Sequence, residues 1–340
     1  MGLPADVRGQ EFLKLLYRDQ YERWLATETE TLLLAHFREV TTSLVRDPGA
    51  LSPSALRRQQ MLFKRVTKLL GVGYDEASEF VEKELVGYAR VEGTVARDQV
   101  GRALADAGTK RVSLAALSPA EIKAIVELPI AGLDLGSWWT KQVADMSTAT
   151  RQQIQLGIIA GEPGEKIIGR IVPPRGSVAP AVFRRAKNNA RLLVRTSLTT
   201  VQNEAAWQTY RKQGDGVSAA YRYVSARDDR VTPICRALDG QVFRYDNPKA
   251  PIPPQHIQCR STIVPEINYR ALGVTPPDAA GPLGFRSYDA WLRELPAAEQ
   301  NRILTAPRAD LWRERKITLA DLVGADRRLL TLEQLKDRIA

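Results

Sequence analysis

Apolar positions that recur every three to four residues dominate the first third of the chain. The repeat over residues 9–45 predicts a long amphipathic helix, in which His36 is expected to have a structural rather than a catalytic role. A break containing proline and glycine follows it. Ser52, next to a proline, predicts the start of a second helix, which Gly71 is expected to end. A third helix is predicted over residues 75–106.

A short helix completes this region. Ser118 and Glu121 have the spacing of a capping box, in which each side chain satisfies a backbone amide of the other residue. Pro129 is expected to stop the helix that they begin, because proline cannot continue a helix. These patterns predict a mainly helical N-terminal domain over residues 1–134.

The spacing of apolar residues changes at Leu135. A helical repeat predicts a helix over residues 137–159, which Gly161 ends. A second short helix and a loop of prolines and glycine follow. A long helix is then predicted from about residue 180 to residue 213. We expect this helix to lead into the part of the chain that holds the β-structure.

Residues beyond the long helix alternate in the manner of strands. Residues 221–225 place tyrosine and serine at every second position, which is typical of a half-buried strand. Asp239, followed by glycine, predicts a turn, and residues 242–245 predict the second arm of a hairpin. Residues 261–264 predict a third strand. The expected product is a small antiparallel sheet.

The predicted sheet is interrupted by two segments that carry cysteine and histidine. Thr232, followed by proline, predicts the start of a short helix with Cys235 in its first turn. The proline-dense run over residues 248–254 cannot form a helix or a central strand. It therefore predicts an ordered extended loop that delivers His256 and Cys259 toward the sheet.

The end of the chain predicts a small helical tail. Residues 273–284 are rich in proline and glycine and predict a linker, after which four short helical pieces follow. Thr318 and Thr331 carry capping signals. We therefore divide the rest of the chain into a central domain, residues 135–268, and a linker with a helical clasp, residues 269–340. The predicted fold class is α+β: a mainly helical N-terminal domain, a central helix-plus-small-antiparallel-sheet domain and a short helical C-terminal tail.

Composition limits the class of protein. The 340 residues are 44% hydrophobic and 26% charged, which is enough apolar surface for an ordinary globular core. No stretch reaches the roughly 18 uninterrupted apolar residues of a membrane span, and the first residues lack the pattern of a signal peptide. We therefore expect a protein that is made and used without export and has no membrane partner.

The basic balance of the chain makes a polyanion a candidate partner. The net charge is +10 and the isoelectric point is near 9.7. Four cations of the long predicted helix recur on one face, which we call the basic face: Arg184, Lys187, Arg191 and Arg195. One interpretation is a face that contacts nucleic-acid phosphates, and the other is an ordinary solvated helix face.

The two cysteines and the second of two histidines fall in one short segment. Cys235, His256 and Cys259, which we call the Cys–His cluster, supply three ligands for a structural zinc site, one fewer than a closed site needs. Asp239 or Asp228 is the natural candidate for the fourth position. In the metal-free alternative, His256 hydrogen-bonds a carbonyl or carboxylate and both thiols pack as small apolar groups. We expect no required cofactor, and structural zinc is the candidate metal.

An ordered set of motifs runs through the same segment. It reads Asp-x-Arg-x-Thr-x-x-Cys, then Leu-Asp-Gly, then Pro-Pro-x-His-x-x-Cys-Arg-Ser-Thr. The residues are Asp228, Arg230, Thr232, Cys235, Leu238, Asp239, Gly240, Pro253, Pro254, His256, Cys259, Arg260, Ser261 and Thr262. This order resembles the phage Mu F-like head morphogenesis, or minor capsid, family. Related positions lie in the long helix and in the tail, so the resemblance covers roughly the second half of the chain.

The resemblance implies a structural protein of the phage head and no enzymatic activity. It implies a location inside the capsid near the portal, after synthesis in the host cytoplasm. The implied partners are the portal and major capsid proteins and packaged double-stranded DNA. The basic face is compatible with such a position, but charge alone does not establish it.

Two alternatives of another class remain open. The first is a small zinc-dependent enzyme, because Asp228, Asp229 or Asp239 lies close in sequence to the Cys–His cluster and can serve as an acid or base. A cysteine nucleophile paired with His256 belongs to the same alternative. The second is an ADP-ribosyltransferase-like effector, since the resembled domain has been linked to that fold. A shared fold would give shape without chemistry.

Overall fold

The computed structural model describes residues 7–109, 112–174, 176–177, 181–275 and 286–339, with side chains from residue 18 to residue 338. These residues form α-helices and one three-stranded sheet, so the predicted α+β, mainly helical fold is confirmed. The helices of the first 212 residues are α1 (Val7–Arg46), α2 (Leu56–Asp106), α3 (Pro119–Val126), α4 (Leu135–Ile159), α5 (Gly164–Ile171) and α6 (Val182–Lys212). Among the described helices, none combines the length and the apolar character needed to cross a membrane.

The sheet and the short helices follow. They are β1 (Ser218–Val224), α7 (Pro233–Leu238), β2 (Val242–Arg244), β3 (Thr262–Ile267), α8 (Tyr288–Arg293), α9 (Ala297–Leu304), α10 (Ala306–Arg313) and α11 (Leu332–Ile339). Short 3-10 turns cover Pro48–Leu51 and Ala320–Leu322. The predicted basic helix, the three strands and the helical tail therefore exist close to their predicted positions. Residues 276–284 of the predicted linker and the predicted helix start at Pro180 lie outside the described residues.

The second and third predicted helices are one helix, so the predicted break at Gly71 is wrong. α2 continues for 51 residues through Gly71 and Gly73. A Cβ atom at Gly73 would lie 2.6 Å from the imidazole of His36, so glycine allows this ring to pack closely against α2. Each helical glycine costs about 1 kcal/mol relative to alanine. Burial of neighbouring apolar residues such as Leu70 and Tyr74 offsets that cost.

The predicted capping box is present. The backbone amide of Ser118 donates to the Glu121 carboxylate at 2.6 Å, and the amide of Glu121 donates to the Ser118 hydroxyl at 3.3 Å. Lys212 adds an ion pair to the same carboxylate. The hydrogen bond from Lys212, followed by those from Ser118, lowers the pKa of Glu121 to about 2. The local sequence signal therefore correctly places the start of α3.

The chain divides into two compact units, each made of separate stretches. One unit contains Leu16–Gly87 and Val126–Leu198, and the other contains Tyr88–Ile125 and Thr199–Ala340 together with the start of the chain. The first unit holds most of α1, the N-terminal parts of α2 and α6, and all of α4 and α5. The second holds the sheet and the tail. The domain boundaries drawn from the sequence stay a prediction.

In the first unit, α1 packs against α2 as an antiparallel helix pair. The Tyr21 hydroxyl donates to Glu84 at 2.7 Å near one end of the pair, and the His36 ring lies 2.9 Å from the Glu76 carboxylate farther along. Buried apolar side chains fill the space between the helices, including Leu33 at 1% exposure. Among the side chains described from residue 18 onward, most apolar positions of the repeat therefore face the interior of this unit, while Trp24 is 43% exposed.

In the second unit, β1 is the central strand, and it pairs antiparallel with β2 and β3. Tyr221 on β1 lies opposite Phe243 on β2, and Tyr223 lies opposite Ile263 on β3. Two groups of buried side chains contact this sheet. Tyr221 packs with residues from the ends of α2 and α6, whereas Tyr223 packs with the tail helices and both cysteines. The sheet therefore positions the Cys–His cluster between β1 and the tail.

Candidate metal centre

The Cys–His cluster is assembled from two separate loops of the sheet. Thr232 is the N-cap of α7 and Pro233 follows in its first turn, as the sequence predicts, although the Thr232 side chain makes no capping hydrogen bond. This helix carries Cys235. His256 and Cys259 lie in the loop between β2 and β3, after the proline-rich run. The two loops bring together residues that are 21 and 24 positions apart in sequence.

The three side chains converge on one point. The Cys235 sulfur lies 3.3 Å from Nε2 of His256 and 3.7 Å from the Cys259 sulfur. All three ligand atoms lie within 4.8 Å of one another. Cys235 is 1% exposed and Cys259 is 0% exposed, while His256 is half-buried. The spacing of these residues in the sequence therefore becomes a compact set of nitrogen and sulfur ligands.

The turn that carries His256 fixes the orientation of its ring. Nδ1 donates a hydrogen bond to the carbonyl oxygen of Ile257 at 2.8 Å, so this nitrogen carries a hydrogen. The backbone amide of Cys259 donates to the His256 carbonyl oxygen at 3.1 Å, and Gln258 adopts a left-handed conformation with φ of 64°. As a result, Nε2 faces the two sulfur atoms.

Hydrogen bonding separates the acidities of the two thiols. The hydrogen bond from Cys235 holds the pKa of Cys259 well below its usual value, against the effect of burial and with further help from His256. The same contact between the thiols, together with burial, raises the pKa of Cys235. The interaction with Cys259 raises the pKa of His256, against the effect of burial. The metal-free cluster therefore favours a thiolate on Cys259, the form of cysteine that binds metals and attacks electrophiles.

Tyr223 is a cluster residue that the sequence pattern did not single out for chemistry. Its hydroxyl lies 3.3 Å from the Cys235 sulfur and 4.0 Å from the Cys259 sulfur. The ring is fully buried, and burial raises its pKa well above the ordinary value. A neutral hydroxyl at this position can donate a hydrogen bond to a thiolate. Only the strand alternation of the sequence, which places this tyrosine on β1, carried a signal of its location.

Asp239, the sequence candidate for the fourth zinc ligand, is engaged elsewhere. Its carboxylate accepts hydrogen bonds from the amide and hydroxyl of Ser225, at 2.7 and 2.9 Å, and from the amide of Tyr288 at 2.6 Å. Burial raises its pKa, while these hydrogen bonds act in the opposite direction. Among the described residues, the group that converges on one point is Cys235, His256 and Cys259. The structure therefore does not bring Asp239 into it.

Asp228, the other candidate for the fourth position, forms an ion pair with Arg260. Both nitrogens of the guanidinium group contact the two carboxylate oxygens. Burial opposes ionisation of Asp228, but Arg260 holds its pKa below the usual value. The carbonyl oxygen of Asp228 also accepts a hydrogen bond from the Tyr288 hydroxyl at 2.8 Å. This aspartate ties the loop before α7 to the Cys259 loop and to the tail.

The long helix α6 braces the other side of the cluster. The Thr199 hydroxyl donates to the Cys259 carbonyl oxygen at 3.0 Å, and the Asn203 amide donates to the Ser261 carbonyl oxygen at 3.3 Å. All four residues belong to the same compact unit. These contacts satisfy two backbone carbonyl groups next to the cluster. Sequence reasoning gave neither Thr199 nor Asn203 this role.

The tail helices cover the cluster on the remaining side. Tyr288, Leu292 and Trp312 are each 0% exposed and pack in the same core as both cysteines. Arg236 of α7 donates hydrogen bonds to the carbonyl oxygens of Val231 and Ile303, at 2.8 and 2.9 Å. The tail therefore completes the core around the cluster, in keeping with the clasp that the sequence predicts.

A small pocket opens next to the cluster. It contains about 190 Å³ of empty space, part of which is continuous with solvent, and Thr232, Cys235, His256 and Arg260 form part of its wall. The Thr232 hydroxyl oxygen is buried and has no hydrogen-bond partner in the described part of the chain. The cluster is thus accessible from one direction, and a polar atom without a partner lies beside that opening.

The basic face has a different structural setting. Lys187 contacts Glu30 of α1 at 2.5 Å, and Arg195 contacts Glu22 of α1 at 2.6 Å. A guanidinium nitrogen of Arg184 donates to the Ser177 carbonyl oxygen at 2.5 Å. The fourth member, Arg191, has an exposed side chain. Three of the four cations are therefore held by other parts of the same unit.

One of the comparisons with known proteins, that with family models, agrees with the motif. Neither the curated proteins nor the solved structures contain a match to this chain. A family model described as Phage Mu protein F like protein matches residues 148–264. This range includes α6, the first two strands, α7 and all three residues of the Cys–His cluster. The resemblance predicted from the motif is confirmed: residues 148–264 of this chain are similar to Phage Mu F-like proteins.

Proposed function

We propose that the protein is a structural component of a phage head that acts in head morphogenesis and is not an enzyme. The observation that carries this proposal is the family match over residues 148–264, which indicates a head morphogenesis protein with capsid-related partners in a virion. The ordered motif, from Asp228 to Thr262, lies entirely within this match. The proposal therefore rests on the segment in which the motif and the family match coincide.

The contacts of the motif residues support a structural role. Asp228 binds Arg260, and Asp239 binds the backbone of Ser225 and Tyr288. Asp229, the third carboxylate considered as an acid or base, forms an ion pair with Arg302 at 2.5 Å. The Arg302 hydrogen bond lowers the pKa of Asp229, which keeps it ionised. These carboxylates connect loops and tail instead of pointing together at the pocket.

The proposal extends to a location inside the capsid near the portal. The partners would be the portal and major capsid proteins, and packaged double-stranded DNA would be close enough to contact the protein. A net charge of +10 supports a polyanionic environment, because it lowers the electrostatic cost of lying beside phosphates. Arg185 and Arg191, in the N-terminal half of α6, have exposed side chains that can make such a contact.

Purified proheads test both parts of this proposal. We expect quantitative mass spectrometry to detect the protein in proheads, and protease to leave it intact until the particles are opened. Deletion of its gene should reduce head yield or infectivity more than DNA replication. Absence from proheads would contradict a head component, whereas cleavage in intact particles would contradict only the interior location.

The pocket beside Cys235 gives the enzymatic alternative a specific test. Under the structural proposal, purified wild-type protein shows neither hydrolase nor ADP-ribosyltransferase activity. A variant of a pocket residue that folds and enters heads normally but loses a measurable activity would overturn the structural proposal.

A further inference from the structure

Two of the three pairs of ligand atoms in the Cys–His cluster have the separations expected of a tetrahedral metal site. Two thiolates bound to one zinc ion at about 2.3 Å lie about 3.8 Å apart, and a thiolate and an imidazole nitrogen lie about 3.5 Å apart. The corresponding distances are 3.7 Å between the two sulfur atoms and 3.3 Å between Cys235 and Nε2 of His256. A disulfide would require about 2.05 Å. The arrangement suits a shared ion better than a covalent bond.

The orientation of His256 is a second and independent indication of a ligand. Histidines that bind metals usually donate their other ring nitrogen to a carbonyl or carboxylate, which fixes the tautomer. Here Nδ1 donates to the Ile257 carbonyl oxygen at 2.8 Å, so the lone pair of neutral Nε2 points at the sulfur atoms. Tyr223 completes the environment as a hydrogen-bond donor next to both thiols.

Both carboxylate candidates for the fourth position are engaged elsewhere, whereas a pocket borders Cys235 and His256. Asp239 is held by Ser225 and Tyr288, and Asp228 is held by Arg260. The pocket wall instead offers the buried hydroxyl of Thr232, which lacks a hydrogen-bond partner among the described residues. A water molecule bound to the metal is the ligand that would supply that partner.

We propose that the chain binds one zinc ion through Cys235, His256 and Cys259, with a water molecule, hydrogen-bonded to Thr232, in the fourth position. Two thiolates neutralise the charge of the ion, so the buried site carries no net charge, whereas a carboxylate ligand would leave an uncompensated negative charge. The ion connects α7 to the loop after the proline-rich run. It thereby stabilises a segment that has few backbone donors for a strand ladder. The site goes beyond the proposed function and does not depend on it.

Metal analysis of the full-length protein, purified without chelator, is the first test. We expect about one zinc per chain in the wild type and less than about one tenth of that in Cys259→Ser. Asp246→Asn, at an exposed aspartate on the same β2–β3 connection, is the matched control and should keep its zinc. Removal of zinc with a chelator should lower the thermal midpoint of the wild type and leave that of Cys259→Ser unchanged.

Cobalt substitution keeps the proposal testable if the cysteine variant fails to fold. The wild type loaded with Co²⁺ should show thiolate-to-metal charge transfer and visible bands of tetrahedral intensity. Thr232→Val should lower metal affinity about tenfold or more and shift the visible bands, because it removes the partner of the bound water. Unchanged affinity and bands would overturn the role of Thr232.

Two further outcomes would overturn the proposal. Loss of zinc in a folded Asp239→Asn variant would show that Asp239, and not a water molecule, is the fourth ligand. Wild-type protein that takes up neither zinc nor cobalt would show two packed thiols and no metal site. Neither result would change whether the protein is found in proheads, so the site and the proposed function fail separately.

Discussion

The Cys–His cluster and the basic face both stand out in the sequence as concentrations of one kind of chemistry, but their structural settings differ. The cluster brings its three ligand atoms within 4.8 Å of one another. Most of the basic face is directed instead at groups of its own compact unit, including Glu22 and Glu30. In the first region the residues of the pattern contact each other, and in the second they contact residues outside the pattern.

This difference shows what a local pattern can establish. Cysteine and histidine are rare in this chain, and a buried thiol has few alternative partners, so their proximity in sequence indicates proximity in space. Arginine and lysine are common and find carboxylates on any adjacent helix. Lys187 and Arg195 therefore have a structural explanation that does not involve a polyanion. Only exposed members of the face still require another explanation.

The largest loss of stability is expected from substitution of Asp239. This substitution tests whether the Asp239 carboxylate is a structural hydrogen-bond acceptor, as the structure indicates, rather than a metal ligand. Asp239→Ala leaves the buried amides of Ser225 and Tyr288 without an acceptor, which should cost about 3 kcal/mol of unfolding free energy. Chemical denaturation measures this loss. The matched control is Asp246→Ala, an exposed carboxylate paired with Arg244, which should cost less than about 0.5 kcal/mol. Equal losses of unfolding free energy in Asp239→Ala and Asp246→Ala would show that the buried hydrogen bonds of Asp239 make no special contribution to stability.

The second prediction tests whether the ion pair between Arg195 of the basic face and Glu22 of α1 stabilises the fold. Glu22 is nearly buried, with 6% of its side chain exposed, and accepts two contacts from Arg195 at 2.6 and 2.7 Å. Glu22→Gln should lower the unfolding free energy by about 2 kcal/mol, because the half-buried guanidinium loses a charged acceptor. Glu28→Gln, an exposed glutamate on the same helix, is the control and should change stability little. A similar loss at Glu28 would indicate a general effect of charge on α1.

The features that sequence reasoning found are those encoded by neighbouring residues. The capping box at Ser118 and the short helix that begins at Thr232 depend on residues a few positions apart, and both are present. The approach of Cys235 to His256 and Cys259 was inferred from the concentration of these scarce residues in one short segment. Each of these inferences depends on residues that lie close together in the sequence.

The features that sequence reasoning missed depend on partners far away in the chain. Gly73 continues a helix because His36 packs on it, and Arg195 finds an acceptor 173 residues earlier. Asp239 holds the amide of Tyr288, which is 49 positions away. No local pattern specifies such pairs, because many other residues of the same type were equally available. Tertiary packing selected among them.

The smallest change in stability is expected from Arg191, the exposed member of the basic face. Arg191→Gln should change the unfolding free energy by less than about 0.5 kcal/mol, because the side chain lies in solvent. If α6 faces packaged DNA, the variant should bind double-stranded DNA more weakly, with a log-log salt slope reduced by about one unit.

Arg195→Gln is the counterpart of this variant, since its guanidinium group is committed to Glu22. It should destabilise the fold but leave the salt slope of DNA binding unchanged, when binding is measured under conditions in which both variants are folded. Equal slopes for the wild type and Arg191→Gln would make the face a solvated or capsid-contacting surface. A reduced slope in Arg195→Gln would show instead that phosphate displaces Glu22. The basic face would then be a DNA contact despite its internal ion pairs.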